Sequence, residues 1–150
     1  MVQDDQIFLT TAKELLTLLG IEAKISLHEE DEGVVLEIDN EESGILIGYH
    51  GETLQALQII LSQLVYKKTG EWQKFTIDVG GYLQGRKEQL YNMADRAVDQ
   101  VRATGKSQSL PYLSAKERRL IHTYLSQVEG IKTESIGEDE ARRLVVFPQS

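Results

Sequence analysis

The sequence predicts an α+β fold arranged as two small modules joined by one long helix. Two observations support this fold class. Apolar residues recur at helical spacing in four stretches of the 150-residue chain, and other stretches between them alternate apolar and polar residues as half-buried strands do. Glycines stand at most of the boundaries between the two kinds of stretch. With 41% hydrophobic and 27% charged residues, the composition is that of a folded protein with an apolar core.

The first module begins with a helix and a hairpin. Apolar residues from Ile7 to Leu19 recur at helical spacing, and Gly20 follows them as a cap. Positions 25–27 and 34–38 instead alternate apolar and polar residues on either side of the acidic turn E-E-D-E-G. This pattern predicts a β-hairpin with one buried face.

Two further helices and a third strand follow the hairpin. Ser43 to Ile47 allows only a short helix, because Gly48 stops it. After Gly51, apolar residues at helical spacing continue to Gly70, and positions 75–79 alternate again. A long connecting helix is then predicted over positions 83–101, ending at G-K-S-Q-S, with most of its cations on a solvated face.

The glycine pair between the two middle helices is the first candidate site. The order helix, strand, strand, short helix, G-Y-H-G, helix, strand resembles the type II KH domain, a small RNA-binding fold. A tight turn needs backbone conformations that glycine adopts at little cost, and the next helix offers free amides and its positive dipole end to a phosphate. The resemblance makes Gly48, Tyr49, His50 and Gly51 candidate nucleic-acid contacts. A plain joint between two helices is the alternative.

The two middle residues depart from the family pattern, in which they are often basic. Near pH 7, Tyr49 and His50 bring little charge, so attraction for phosphate would rest on the amides and the helix dipole. Tyr49 could stack on a base or a sugar. The alternative is a half-buried ring that packs on its own domain.

The second module begins with S-A-K-E-R-R-L-I-H. Ser114 and Glu117 form a capping box that starts a helix, and Gly130 is expected to end it. Arg118 and His122 lie about 40° apart around that helix, on the side opposite its apolar stripe. An exposed pair without a function remains the alternative on spacing alone.

Arg-x-x-x-His in this setting resembles the R-three-H domain, a small module that binds single-stranded nucleic acid. Two strands are expected after the helix, over positions 131–136 and 142–147. The resemblance makes Arg118 and His122 the central contacts, with Arg119, Arg142 and Arg143 as candidates to widen the patch. Because alternate residues of a strand face opposite ways, at most one of Arg142 and Arg143 is expected to join it.

The two modules together resemble the bacterial Jag family, also called KhpB. The resemblance runs from about Ile7 to Pro148 and includes the joint I-D-V-G-G-Y-L-Q-G-R. It predicts a KH domain over 1–80, a linker helix over 81–109 and an R-three-H domain over 110–150. It also predicts a short form, without the additional N-terminal domain that many members carry.

The family resemblance implies a cytoplasmic protein that binds single-stranded RNA, with single-stranded DNA left open. A post-transcriptional regulator or RNA chaperone is expected, with a link to cell-envelope or cell-division control. Each module would bind RNA weakly, and joining the two through the linker helix would raise the overall affinity. The alternative is a protein-interaction adaptor whose KH half pairs with itself or with a partner KH-domain protein, nucleic acid being secondary.

Charge and composition limit the other classes of function that this chain could have. The net charge is −8, but residues 1–80 have a net charge of −10 and residues 81–150 a net charge of +2, so the second half suits a polyanion better. No stretch is apolar enough for a membrane span, and with no cysteine there is no thiolate chemistry. The three histidines fall in separate elements and no catalytic motif is present, so neither an enzyme nor a metal or cofactor is expected.

Overall fold

The computed structural model describes residues 2–31 and 33–150, and over these residues the chain forms five helices and six strands. It divides into a first unit that ends at Leu83 and a second unit from Gln84 to Ser150. The predicted α+β class is confirmed. No helix of the described part of the chain is both long and apolar enough to cross a membrane.

The first unit has the element order predicted for a type II KH domain. Its elements are α1 (Val2–Leu18), β1 (Lys24–Glu30), β2 (Gly33–Asp39), α2 (Ser43–Ile47), α3 (Glu52–Thr69) and β3 (Phe75–Val79). The sheet order is β1-β2-β3: β1 and β2 are antiparallel, and β2 and β3 are parallel with Leu36 opposite Ile77. A parallel pair needs a crossover, and α2 with α3 supplies it.

The core of this unit lies between the sheet and the two long helices. The alternating side chains Leu36 and Ile38 of β2 are almost fully buried, as are Leu61 and Val65 of α3. This burial explains why the hairpin alternates and the helix repeats every three to four residues. The same packing fixes the start of α3, and with it the glycine turn.

The second unit is built on a three-stranded antiparallel sheet in the order β4-β6-β5. Its elements are α4 (Tyr82–Thr104, which begins at the end of the first unit), β4 (Gln108–Ser109), α5 (Ala115–Leu125), β5 (Ile131–Ile136) and β6 (Arg143–Pro148). Leu90 and Val101 of α4 share one core with Ile121 of α5 and Leu144 of β6. From Leu90 onward, α4 therefore contributes side chains to the core of this unit and does more than connect. The domain division into 1–80, 81–109 and 110–150 stays a prediction.

Aromatic and ionic contacts join α4 to α5 within the second unit. The rings of Tyr91 and Tyr124 stack with centroids 4.1 Å apart. The Tyr124 hydroxyl donates a 2.9 Å hydrogen bond to Asp95, and this bond, followed by burial, raises the pKa of Tyr124 above its ordinary value. Arg86 departs from the expected solvated face, because its guanidinium forms a half-buried ion pair with Glu117 at 2.8 Å.

Three elements differ from the sequence prediction, and the first is α1, which begins at Val2 and not at Ile7. Helix α5 ends at Leu125 and not at Gly130, since the Val128 amide bonds back to the Leu125 carbonyl across three residues and the chain leaves the helix in turns. Val128 still packs against the core, which is why its spacing suggested more helix. The two-residue strand β4 was missed, because a segment that short has no periodic pattern.

Candidate nucleic-acid interface

The G-Y-H-G segment forms a tight turn between α2 and α3. Gly48 has φ 71° and ψ −172°, and its amide donates to the Gly44 carbonyl at the end of α2. Gly51 has φ 79° and lies in the left-handed region immediately before α3. His50 between them also has a positive φ of 52°, which is uncommon for a residue other than glycine.

Crowding as well as backbone conformation requires Gly48, whereas Gly51 is required by its backbone conformation. A Cβ atom on Gly48 would lie 2.1 Å from the Thr53 hydroxyl oxygen and 2.7 Å from its Cβ. A Cβ atom on Gly51 would lie 3.2 Å from the Tyr82 hydroxyl oxygen. The predicted structural reason for the glycine pair is confirmed, while its contact with nucleic acid stays a prediction.

Of the two middle residues of the turn, Tyr49 is the exposed one and His50 is half-buried. Tyr49 is 74% exposed, so the alternative of a half-buried ring packed on its own domain is wrong. Its ring meets that of His50 edge to face, with centroids 4.0 Å apart. An exposed aromatic ring beside a helix N-terminus offers a stacking surface next to backbone amides.

The charges around the turn are unfavourable for a polyanion. Glu52 occupies the first turn of α3, and Glu42 precedes α2. Glu52 itself interacts favourably with the helix dipole, and its negative charge opposes that of an incoming phosphate. Stacking is therefore expected to contribute more than charge at this turn.

A second cluster forms in the second unit, where α5 and β5 border a shallow pocket of roughly 340 Å³. Four of the five candidate residues of this unit line it: Arg118, Arg119, His122 and Arg142. The other lining residues are Ala115, Thr133, Glu134 and Ser135. The structure thus brings three arginines and one histidine to one concave surface.

The histidine of this pocket is exposed and oriented by a neighbour on β5. The Nδ1 atom of His122 lies 2.5 Å from the Thr133 hydroxyl oxygen. Among the described residues, its Nε2 atom makes no hydrogen bond. Thr133 therefore fixes the plane of the ring and leaves Nε2 for an outside partner.

Arg118 is the least exposed of the pocket cations. Its Nη1 atom donates a 2.7 Å hydrogen bond to the Leu113 carbonyl, just before the start of α5. A guanidinium has five N–H donors in a fixed plane, so donors remain for a phosphate after this bond. Arg118 thus has a structural role that the helical spacing did not show.

Arg142 and Arg143 separate as the strand pattern predicted. Arg142 lines the pocket, whereas Arg143 donates to the carbonyls of Glu140 and Arg142 and lies over the Tyr112 ring, 5.5 Å from its centroid. Only Arg142 reaches the pocket, and the candidate Arg143 lies outside it. The backbone contacts of Arg143 stabilise the turn before β6.

Sequence reasoning missed the β5 side of the pocket. Thr133 and Ser135 are half-buried and lie two residues apart, so they share one strand face. The alternation of strand residues could have predicted that these two side chains share a face. Which face of α5 they contact depends on tertiary packing. Glu134 adds a carboxylate to the rim and lies 4.0 Å from Lys132. Over the described residues, no group of three or more His, Asp or Glu side chains could hold a metal ion.

Comparison with known proteins assigns a family to each unit. Residues 9–79 match the KH domain of KhpA and KhpB, and residues 88–148 match the R-three-H domain. Three similar relatives are each named RNA-binding protein KhpB. The Bacillus subtilis protein is 33% identical over 147 residues, covering 97% of this chain and 69% of the relative. Those of Streptococcus pneumoniae and Clostridium symbiosum are 32% and 29% identical, each over 85% of this chain and over 39% and 58% of the relative.

Proposed function

The chain belongs to the Jag/KhpB family, which joins a KH domain to an R-three-H domain, and we propose that it binds single-stranded RNA through both units. The observation that carries this proposal is the pocket of the second unit, where Arg118, Arg119, Arg142 and His122 meet. The printed names of the relatives agree with it, although this chain spans only part of their length.

The pocket has the chemistry of a backbone clamp for a single strand. Arginine guanidinium groups form paired, charge-assisted hydrogen bonds with phosphate oxygens. The free Nε2 of His122 suits a phosphate or a ribose hydroxyl, and a hydroxyl contact would favour RNA over DNA. A volume of roughly 340 Å³ is at the low end for ligand pockets, so the site suits one nucleotide unit of an extended strand.

The turn of the first unit supplies a second and weaker contact. Tyr49 would stack on a base while the amides at the start of α3 meet the backbone. Two weak sites on one chain raise the overall affinity for an RNA long enough to reach both. Such binding suits a cytoplasmic post-transcriptional regulator or RNA chaperone, which must release its target. The proposed cellular process is the control of the cell envelope or of cell division, with which the family is associated.

A second candidate function is a protein-interaction adaptor. The first unit exposes Ile59 and Ile60 on α3 and Leu18 near the end of α1, with exposed fractions of 57%, 46% and 85%. Apolar side chains on a unit of negative charge suit a protein surface better than a polyanion. A partner KH-domain protein or a second copy of this chain would be the occupant, and nucleic acid would be secondary.

The RNA proposal is tested by fluorescence anisotropy with a labelled 12-nucleotide single-stranded RNA and the full chain. The combined change Arg119→Ala and His122→Ala should weaken binding by about tenfold or more, because each side chain contributes a contact of ~1 kcal/mol or more. Both residues are exposed, so the melting temperature should stay within a few degrees. Arg118→Ala is a poorer choice, since it also removes the bond to Leu113.

Arg96→Ala is the matched control, since Arg96 is exposed on α4 and does not line the pocket. It removes the same charge and should change the affinity by less than about twofold. Equal losses of RNA affinity in the control and in the pocket variant would show that net charge alone explains the effect. Unchanged affinity in the pocket variant would refute the pocket as the RNA site, and the absence of RNA binding by the wild-type chain would favour the adaptor.

A further inference from the structure

The end of α3 that lies farthest from the glycine turn carries an exposed aromatic pair. The rings of Tyr66 and Trp72 stack with centroids 4.3 Å apart and an interplanar angle of 17°. Trp72 is 62% exposed and Tyr66 is 39% exposed. Tyr66 covers one face of the indole, so the accessible surface of Trp72 includes its other face.

Three lysines lie close in sequence to this pair, in a unit that has few cations. Three of the five Lys and Arg residues within positions 1–80 are Lys67, Lys68 and Lys74. Lys68 binds Glu14 at 3.1 Å, whereas Lys67 and Lys74 form no ion pair with the described residues. Within positions 66–74 the only acidic residue is Glu71, so the segment is locally positive in a unit of net negative charge.

We propose that the segment from Tyr66 to Lys74 is a second stacking site for single-stranded RNA on the first unit. One base stacks on the open face of Trp72, and Lys67 and Lys74 neutralise the neighbouring phosphates. The site rests on the proposed RNA binding. It is separate from the glycine turn, because the 18 residues of α3 place about 27 Å between them.

The chemistry favours a nucleic-acid strand over a protein partner at this place. Lysine is depleted in the cores of protein interfaces, whereas an aromatic face beside lysines is the usual arrangement for binding a single strand. A base needs only one open ring face, and the stacked pair offers that without any apolar groove. Trp72 is already held by Tyr66, so little freedom is lost when a base stacks on it.

The acidic hairpin turn limits how much charge contributes here. The Lys74 carbonyl lies 3.8 Å from the position that a Cβ on Gly33 would occupy, so this turn borders the segment. Glu30 and Asp31 in that turn oppose the approach of phosphates. Stacking is therefore the larger contribution, and changes at Trp72 should affect affinity more than changes at either lysine.

Trp72 is the only tryptophan of the chain, so the intrinsic tryptophan fluorescence of the full protein reports on this site alone. Titration with an unlabelled 12-nucleotide single-stranded RNA should quench that emission, and the quench should saturate together with the anisotropy of the labelled RNA. Trp72→Ala should weaken binding about tenfold, and Trp72→Phe should retain part of the affinity. Ile59→Ala is the control, because Ile59 is also an exposed apolar residue of α3, and it should change the affinity by less than about twofold.

The outcomes separate this site from the proposed function. RNA binding by anisotropy with unchanged tryptophan emission and full affinity in Trp72→Ala would overturn the stacking site and leave RNA binding intact. No anisotropy change with the wild-type chain would overturn both. Because the quench is measured on the unaltered protein and Trp72→Phe keeps a ring at this position, a loss of stability in Trp72→Ala cannot hide the answer.

Discussion

Gly48 and Gly70 both have a positive φ but differ in ψ, which is −172° and 0°, and in the space around them. Their φ angles are 71° and 77°, yet a Cβ on Gly48 would strike Thr53 at 2.1 Å, whereas one on Gly70 would meet nothing within 4 Å. Gly70→Ala should therefore cost about 1 kcal/mol of unfolding free energy, from the left-handed conformation alone. Gly48→Ala should cost at least about 2 kcal/mol more, because its φ and ψ lie in a region that is essentially restricted to glycine and because the start of α3 must shift.

Urea unfolding of the two variants, followed by circular dichroism, measures this difference. Gly70→Ala is the comparison, because it adds the same methyl group at an uncrowded glycine in the left-handed region. Equal losses would mean that the turn before α3 relaxes freely, and neither the ψ of Gly48 nor the crowding around it would then be a reason for its glycine.

The pocket shows where reasoning from single residues succeeds and where it stops. Spacing alone placed Arg118 and His122 on one side of α5, and strand alternation separated Arg142 from Arg143. The bond from Arg118 to the Leu113 carbonyl and the contact of His122 with Thr133 could not be predicted. Both depend on how a loop and a strand pack against the helix, which local sequence does not encode.

At the scale of elements, the start of α5 is held by two interactions that share Glu117. The Ser114 hydroxyl accepts from the Glu117 amide, and the Glu117 carboxylate accepts from the Ser114 amide, which confirms the predicted capping box. The same carboxylate pairs with Arg86 of α4, and the two side chains are only 12% and 17% exposed. This arrangement ties the N-terminus of α5 to α4.

Three substitutions separate the cap from the ion pair. Ser114→Ala should cost about 1 kcal/mol of unfolding free energy, because it removes only the hydroxyl cap. Glu117→Gln retains a group able to complete the box but removes the carboxylate charge that pairs with Arg86, so it should cost about 2 kcal/mol. Glu117→Ala loses both and should be the least stable of the three.

Denaturant unfolding of the three variants supplies the ranking. If Glu117→Gln were as stable as the wild type, the ion pair with Arg86 would contribute nothing net, as many exposed pairs do. If Ser114→Ala cost the most, the cap and not the contact with α4 would dominate this end of the helix.

The start of α5 and the strand alternation were predictable in this chain, while the start of α1, one helix end and one strand were not. The capping box gave the start of α5 because the two side chains act on their own neighbouring amides. The end at Leu125 and the strand Gln108–Ser109 depend on contacts distant in sequence, since β4 exists only by pairing with β6. Arg86 was expected in solvent for the same reason, as its partner Glu117 lies 31 residues away.

At the scale of the whole molecule, charge divides the chain into halves of opposite character. Residues 1–80 have a net charge of −10 and residues 81–150 a net charge of +2. A polyanion is attracted mainly by the second half, where three arginines line one pocket. The first half offers exposed rings, whose stacking on bases does not depend on releasing counterions.

The two halves should therefore differ in their dependence on salt. Each phosphate neutralised on a single strand adds about −0.7 to the slope of log affinity against log salt, so Arg119→Gln should make that slope shallower by about this amount. Tyr49→Ala should lower the affinity several-fold and leave the slope unchanged, since Tyr49 is 74% exposed and positioned to stack on a base and not to pair with a phosphate. Anisotropy titrations at about four salt concentrations, from roughly 50 to 200 mM, give both slopes. A shallower slope in Tyr49→Ala would show that the glycine turn binds phosphate, and an unchanged slope in Arg119→Gln would show that Arg119 does not.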